Sequence, residues 1–194
     1  KYLVRYPHGC IEQTTSSVFP QLYLSNLMDL DKKMKAEISK NVIAGIKRLY
    51  SFQLSDGGLS YWPGGSESSH WGSNYAGHFL VEAKEKGYDL PTGFLKKWIK
   101  YQKKAAKNWS SSTKGTQLHY YNRNDLTQAY RLYTLAAANQ PVLGAMNRLR
   151  ESDNLSVQAT WRLAAAYYLA GQAEVAKDLV QSITMDIEPY KELS

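Results

Sequence analysis

The sequence predicts an all-α chain built of serial helix hairpins. Three observations carry that reading. Apolar residues recur at intervals of three and four along most of the chain. Glycine and proline stand between the periodic stretches, where helices start and stop. An alanine-rich pattern also repeats: Gln128-Ala129-Tyr130-Arg131-Leu132 and Gln158-Ala159-Thr160-Trp161-Arg162-Leu163 each begin a helix that turns into a shorter partner, and Trp71 to Ala83 opens a comparable pair. Serial hairpins need neighbours to bury their inner faces, so they stack as a solenoid or close into a ring. Small residues such as Ala136, Ala137, Ala164, Ala165 and Ala166 let the helices approach closely.

Taken in order, Cys10 to about Leu30 reads as a first helix with Pro20 as a kink. Met34, Ile38, Val42, Ile46 and Leu49 follow the cap residue Asp31 and define a long amphipathic helix ending near Leu54. Ser55-Asp56-Gly57-Gly58 is a turn, and Pro63-Gly64-Gly65 a loop. The next helix spans Ser69 to Lys86 and stops at Gly87, a residue suited to a left-handed C-terminal cap. Another begins at Pro91-Thr92 and carries Phe94, Leu95, Trp98, Ile99 and Gln102 toward a run of lysines. Asn108 to Asn124 is polar and reads as the longest loop. Helices then cover about Asp125 to Ala138, Pro141 to Arg150, Ser156 to Ala170 and Gln172 to Ser182, with Pro141 and Gly171 as start and stop signals.

Composition narrows the class of protein. At 194 residues, 43% of them hydrophobic and five of them tryptophan, the chain can bury a real core. No apolar run approaches the roughly 18 residues of a membrane helix, and no signal peptide opens the sequence. The formal charge of +7 raises the question of nucleic acid. Its densest part, Lys96, Lys97, Lys100, Lys103, Lys104 and Lys107, interleaves with Trp98, Ile99 and Tyr101, as on a solvated helix with a buried opposite face. No nucleic-acid motif accompanies it. The chain begins at Lys1 and ends at Tyr190-Lys191-Glu192-Leu193-Ser194, and it is read as a single domain, residues 1–194, excised from a larger protein.

The single cysteine is the chemically conspicuous residue, since it has no partner for an internal disulfide. It lies in Gly9-Cys10-Ile11-Glu12-Gln13-Thr14-Thr15, preceded by Tyr6-Pro7-His8. A thiol and a carboxamide three residues apart meet on one face of a helical turn. There they can condense, losing ammonia, into an intramolecular thioester. This run resembles the thioester motif of the α2-macroglobulin and complement superfamily in its bacterial form. A second stretch, Gln53-Leu54-Ser55-Asp56-Gly57-Gly58-Leu59-Ser60-Tyr61-Trp62, is similar to the Gln-x-x-Asp-Gly-x-aromatic turn of α/α toroids, the class that holds thioester domains, terpenoid cyclases and prenyltransferases.

The resemblance implies an α/α toroid of six hairpins, of which about four are present here, so that the chain would be the N-terminal two-thirds of such a domain. It assigns the bond to Cys10 Sγ and Gln13 Cδ, with Gly9 giving the tight entry and Glu12 a supporting place near the helix N-terminus. Ile11 departs from the glycine common in animal members. The implied protein is a single-use endopeptidase inhibitor rather than an enzyme. Its exposed thioester would acylate lysine amines of an attacking protease, and it would need no cofactor or metal beyond the internal cross-link. Its partners would be target proteases and the other domains of an extracytoplasmic parent, periplasmic or membrane-anchored. Away from those domains the resemblance implies a free Cys10 thiol.

For acyl transfer through an imidazole the candidate is His119, with Asn122 or Asn124 as amine-selective alternatives. His8 and His70 are possible neighbours of the thioester with no spacing argument, His78 is expected to be packed or at the surface, and Tyr6, Trp71, Tyr75, Tyr120 and Tyr121 are candidates for shielding the bond from water. Three other functions are weighed. A surface opsonin or adhesin would prefer hydroxyl groups. A toroid enzyme would need clustered acids or zinc ligands, which the sequence lacks. A cysteine hydrolase would pair Cys10 with His119 and an asparagine, but no local signature supports it.

Overall fold

The computed structural model describes residues 3–110, 125–152 and 155–183. Its first helix, α1 (Ile11–Val18), does not run on to Leu30 as the periodicity suggests. A 3₁₀ turn follows (Pro20–Tyr23), then a single turn, α2 (Leu24–Leu27), so the expected kink is a break. Pro20 has no N–H to donate and its ring crowds the preceding turn. The fully buried Gln21 side chain compensates, donating to the carbonyls of Ser17 at 2.6 Å and Arg5 at 2.8 Å, while its own oxygen accepts from Asn41.

The second long helix, α3 (Lys32–Tyr50), starts where the Asp31 carboxylate accepts from the Met34 N–H at 2.7 Å. Its apolar stripe, Ile38, Val42, Ile46 and Leu49, faces α1, and Gly45 lets Val18 sit against the backbone. The Gln-x-x-Asp-Gly-Gly stretch then acts as a clasp. Gln53 donates to the carbonyls of Gly57 at 3.1 Å and Phe94 at 3.0 Å, and Asp56 accepts the Gly58 N–H at 2.8 Å. Two isolated antiparallel bridges, Gln53 with Leu59 and Ser60 with Ser68, are the only β-pairing among the described residues.

Ser69 caps α4 (His70–Glu85), and Gly87 at φ +88° ends it as expected. Gly93, also left-handed, leads into α5 (Phe94–Asn108). The remaining helices are α6 (Asp125–Ala137), α7 (Leu143–Arg150), α8 (Val157–Leu169) and α9 (Ala173–Gln181), each within two residues of its expected bounds. Asp125 ties the start of α6 to the start of α8 by accepting the Ser156 N–H at 2.6 Å.

Packing sorts these helices into two layers. α1, α4, α6 and α8 touch in sequence as an inner layer, and α3, α5, α7 and α9 back them as outer partners, which makes four hairpins of an α/α toroid among the described residues. Buried alanines (Ala129, Ala136, Ala159, Ala166) bring α6 and α8 together, while Trp98 of α5 fills the space over Gly77 of α4 and donates its indole N–H to the Ser73 carbonyl at 2.7 Å. Lys103 is half-buried and the rest of the lysine run is exposed, with Trp98 and Tyr101 buried behind it. No helix among the described residues is long and apolar enough to cross a membrane. His119, Asn122, Asn124, Tyr120, Tyr121 and the segment Tyr190 to Ser194 lie outside the described residues.

Two outcomes follow from this packing. A Cβ at Gly57 (φ +95°) would lie 2.2 Å from the Lys97 carbonyl oxygen, whereas one at Gly64 (φ +78°) would meet nothing. Gly64→Ala is expected to cost only the left-handed strain, about 1 kcal/mol, and Gly57→Ala about 3 kcal/mol because the clasp must also shift, as measured by urea denaturation. His78 packs edge-on to Phe19 with ring centroids 4.9 Å apart, and its Nδ1 lies 3.1 Å from the Tyr130 hydroxyl. Burial lowers its pKa below the usual imidazole value, with Arg162 adding to the shift and Glu82 opposing it. The unfolded chain therefore takes up this proton first, so the contribution of His78 is full above about pH 6.5 and is lost as pH falls below it. His78→Asn is expected to flatten that part of the stability–pH profile, read from Tm between pH 5 and 8.

Candidate functional site

The N-terminus of α1 gathers the residues singled out in sequence. Pro7 is buried, and Gly9, at φ +77°, turns the chain so that Cys10 arrives extended (φ −72°, ψ 178°) as the N-cap. The Cys10 carbonyl accepts from the Thr14 N–H at 2.9 Å, opening the helix. Cys10 and Gln13 then form a reciprocal capping box. The Gln13 Oε1 accepts the Cys10 N–H at 3.1 Å, and the Cys10 side chain faces the Gln13 N–H. The thiol and carboxamide are thus held around one helical turn. Cys10 is 3% exposed while Gln13 is exposed, so the sulfur is covered and the carboxamide is open to solvent.

Gly9 has a second reason to be glycine. A Cβ there would fall 2.0 Å from Gln13 Oε1 and 2.9 Å from its Cδ, in the space the carboxamide occupies. Glu12, half-buried in the first turn, places its negative charge near the positive end of the helix dipole. Ile11 is fully buried against Gly72 of α4, where a Cβ would lie 2.8 Å from its Cγ2, so the bulk at position 11 is accommodated by the absence of bulk at 72.

Arg48 and Gly72, which the sequence reading did not single out, and Tyr61 and Trp62 of the aromatic turn complete the site. Arg48 reaches back from the last turn of α3 and donates to the Gly9 carbonyl at 2.7 Å and to Thr14 Oγ1 at 3.1 Å, while Thr14 Oγ1 donates to the His8 carbonyl at 3.2 Å. The guanidinium holds both sides of the Cys10 turn. The Tyr61 carbonyl accepts the Ile11 N–H at 3.1 Å, and the Tyr61 phenol has its pKa raised first by the neighbouring Cys10 side chain and then by the charge of Glu12. Trp62 stands edge-on beside it, with ring centroids 5.9 Å apart. Gly72 supplies the room for Ile11. Arg48 and Gly72 have no local sequence signal: Arg48 reads as a basic residue at a helix C-terminus, while Tyr61 and Trp62 are marked only as the aromatics of a turn.

The other candidates fall as follows. His8 contributes its backbone carbonyl, and its side chain is exposed. His78 is packed among aromatics on the far side of α4, while His70 opens α4 with its Nδ1 2.9 Å from Arg131 Nη2. Tyr75 bonds Ser16 of α1 at 3.2 Å, Trp71 packs on Tyr130 with ring centroids 5.3 Å apart, and Tyr6 is mostly exposed. Among the described residues no group of three His, Cys, Asp or Glu side chains is placed to hold a metal ion.

Comparison with known proteins gives a consistent family. The family model for the A-macroglobulin TED domain matches residues 1–104. Alpha-2-macroglobulin of Escherichia coli K12 is 37% identical over 100 residues, which is 47% of this chain and 6% of that protein. That of Rickettsia conorii is 26% identical over 190 residues, which is 95% of this chain and 10% of that protein. Trypsin-activated alpha-2-macroglobulin from E. coli superposes with a TM-score of 0.73 at 28% identity, covering 91% of this chain and 13% of that one. Salmonella alpha-2-macroglobulin reacted with methylamine superposes with a TM-score of 0.74 at 26% identity, covering 93% and 12%. The chain spans 10% or less of the length of these two curated relatives. It belongs to the A-macroglobulin thioester-domain family.

Proposed function

We propose that this chain carries the covalent trap of an endopeptidase inhibitor, in which Cys10 and Gln13 form an internal thioester. The observation that carries the reading is the capping box, which ties the Gln13 carboxamide to the Cys10 N–H and the Cys10 side chain to the Gln13 backbone within one turn, with Gly9 vacating the space for Gln13. Formation joins Cys10 Sγ to Gln13 Cδ, and the amide nitrogen leaves as ammonia with the thiol proton. On activation a lysine amine attacks Cδ, an amide bond forms, and the Cys10 thiolate departs with the proton the amine gives up. Cys10 is spent in one turnover, so the chain acts as a reagent rather than a catalyst.

Related proteins support the setting. The E. coli relative has been seen in trypsin-activated and elastase-activated forms, and the Salmonella relative reacted with methylamine. On this reading the chain is the N-terminal two-thirds of a toroid within a longer, extracytoplasmic multidomain protein, periplasmic or membrane-anchored. Its partners are attacking proteases and the neighbouring domains of that protein. His119 is the residue proposed to pass the acyl group through its imidazole.

In the longer protein, intact mass is expected to lie one ammonia below the calculated value and to rise by one methylamine on treatment with that amine. The 194-residue chain alone is expected to match the calculated mass with a free thiol. Protease challenge of the longer protein is expected to give a covalent adduct that Cys10→Ala abolishes; an equal adduct from that variant would exclude the trap. If His119 relays the acyl group, glycerol competes with methylamine in the parent and loses at least tenfold in His119→Ala, as quantified by mass spectrometry. Gly9→Ala is expected to lower thioester yield at least tenfold, since the new Cβ displaces the Gln13 carboxamide. Arg48→Met removes two charge-assisted hydrogen bonds and is expected to cost about 3 kcal/mol by urea denaturation, with Arg48→Lys restoring less than half of it.

A further inference from the structure

The lysine run of α5 is not a uniform solvated flank. Lys97, Lys100 and Lys104, at spacings of three and four, line one side of a cleft of about 610 Å³ that also takes in Tyr101, His70 and Arg131. Lys96, Lys103 and Lys107 lie outside it. The three lysines are exposed, whereas Tyr101 is 9% and Arg131 1% exposed, so the rim is mobile charge and the floor is fixed.

Arg131 is held without an acid. Its Nε donates to Gln102 Oε1 at 3.0 Å, its Nη1 to Gln128 Oε1, and its Nη2 to His70 Nδ1 at 2.9 Å, with the Tyr101 hydroxyl 3.3 Å from the same ring nitrogen. Gln102 is fixed in turn by donating to Asn74 at 2.9 Å, and Gln128 by donating to the Ala106 carbonyl at 3.0 Å. Its two carboxamide acceptors are neutral, and among the described residues no carboxylate pairs with this guanidinium. A buried cation surrounded by neutral dipoles retains an unbalanced charge. Asp56 is the one carboxylate among the described residues lining the cleft, and it is engaged with the Gly58 N–H and the Ser68 hydroxyl. Among the described lining residues four cationic side chains therefore face one occupied acid.

We propose that this cleft binds a phosphate-bearing ligand, with Lys97, Lys100 and Lys104 meeting the phosphate oxygens and Arg131 supplying the balancing charge from below. Compact ammonium groups around a fixed guanidinium suit a polyvalent oxyanion better than a single carboxylate. The volume is that of a small-molecule site and exceeds a bare phosphate, so the phosphate is carried on a larger group, a soluble phosphate ester or a lipid headgroup. This site stands apart from the thioester reading, because none of its residues belongs to the Cys10 turn.

Pyrophosphate titrated calorimetrically into the 194-residue chain at about 0.1 M ionic strength is expected to bind saturably at one site. The pair Lys100→Glu, Lys104→Glu is expected to weaken it at least tenfold, while Lys96→Glu, Lys107→Glu changes it less than twofold. These exposed positions keep the test independent of whether Arg131→Gln folds, and Cys10→Ala is expected to bind as the parent does. No saturable binding, or equal loss in both lysine pairs, would overturn the proposal. Vesicles of phosphatidylglycerol in phosphatidylcholine assign the source: binding that pyrophosphate displaces and the Lys100/Lys104 pair loses identifies a headgroup site, and absence of vesicle binding identifies a soluble phosphate ester.

Discussion

Each interior helix of the toroid layer is covered on three sides, and most of the structure follows from that constraint. α4 has α1 on one flank, α6 on the other and α5 behind it. The buried positions of its first half are consequently small or polar: Gly72, Ser73, Asn74, Ala76 and Gly77 lie on faces where a large side chain would hold the neighbours apart, and Phe79, Leu80 and Val81 follow in the apolar core. Polar groups on such faces have no water to turn to and must find partners within the protein. They do so in a continuous line, from the Thr127 carbonyl through Asn74 and Gln102 to Arg131 and Gln128. Among the described residues no buried side-chain polar atom is left without a partner.

The same constraint shapes the Cys10 turn. Thr14 and Thr15 of α1 are fully buried, and their hydroxyls are engaged with the His8 and Ile11 carbonyls. Arg48 crosses from the outer layer to hold the turn from behind. Cys10 is therefore gripped by the fold while Gln13 stands at the surface, and the pair straddles the boundary between protein and solvent. On the proposed chemistry, a nucleophile arriving from outside would meet residue 13 before it meets the sulfur.

What was legible in the sequence was what short stretches decide. Asp31, Ser69 and Ser156 accept hydrogen bonds from their own helices, and Gly87 and Gly171 adopt the left-handed caps their positions suggest. The pairing of Cys10 with Gln13 belongs to this class, being three residues long. Pro20 was read as a kink because its compensation is not local: Gln21 fills the lost turn only because Arg5 and Asn41 lie beside it. Arg48 lies 39 residues from its acceptor, and nothing in its surroundings along the chain marks it as different from Lys47. Arg131 sits in an alanine-rich repeat, and its burial is set by glutamines on two helices. Long-range partners of this kind emerge from the stacking order, which periodicity leaves open between a solenoid and a ring.

The capping bond at Cys10 has a meaning beyond holding the helix start. When a nucleophile adds to the acyl carbon of residue 13, the oxygen that takes up the negative charge is the one already accepting from the Cys10 N–H at 3.1 Å. On the proposed chemistry, the cap and the oxyanion donor are a single group, oriented before any reaction begins. That N–H belongs to the residue whose sulfur is leaving. The leaving group and one stabiliser of the tetrahedral intermediate would thus come from a single residue, within one turn of helix.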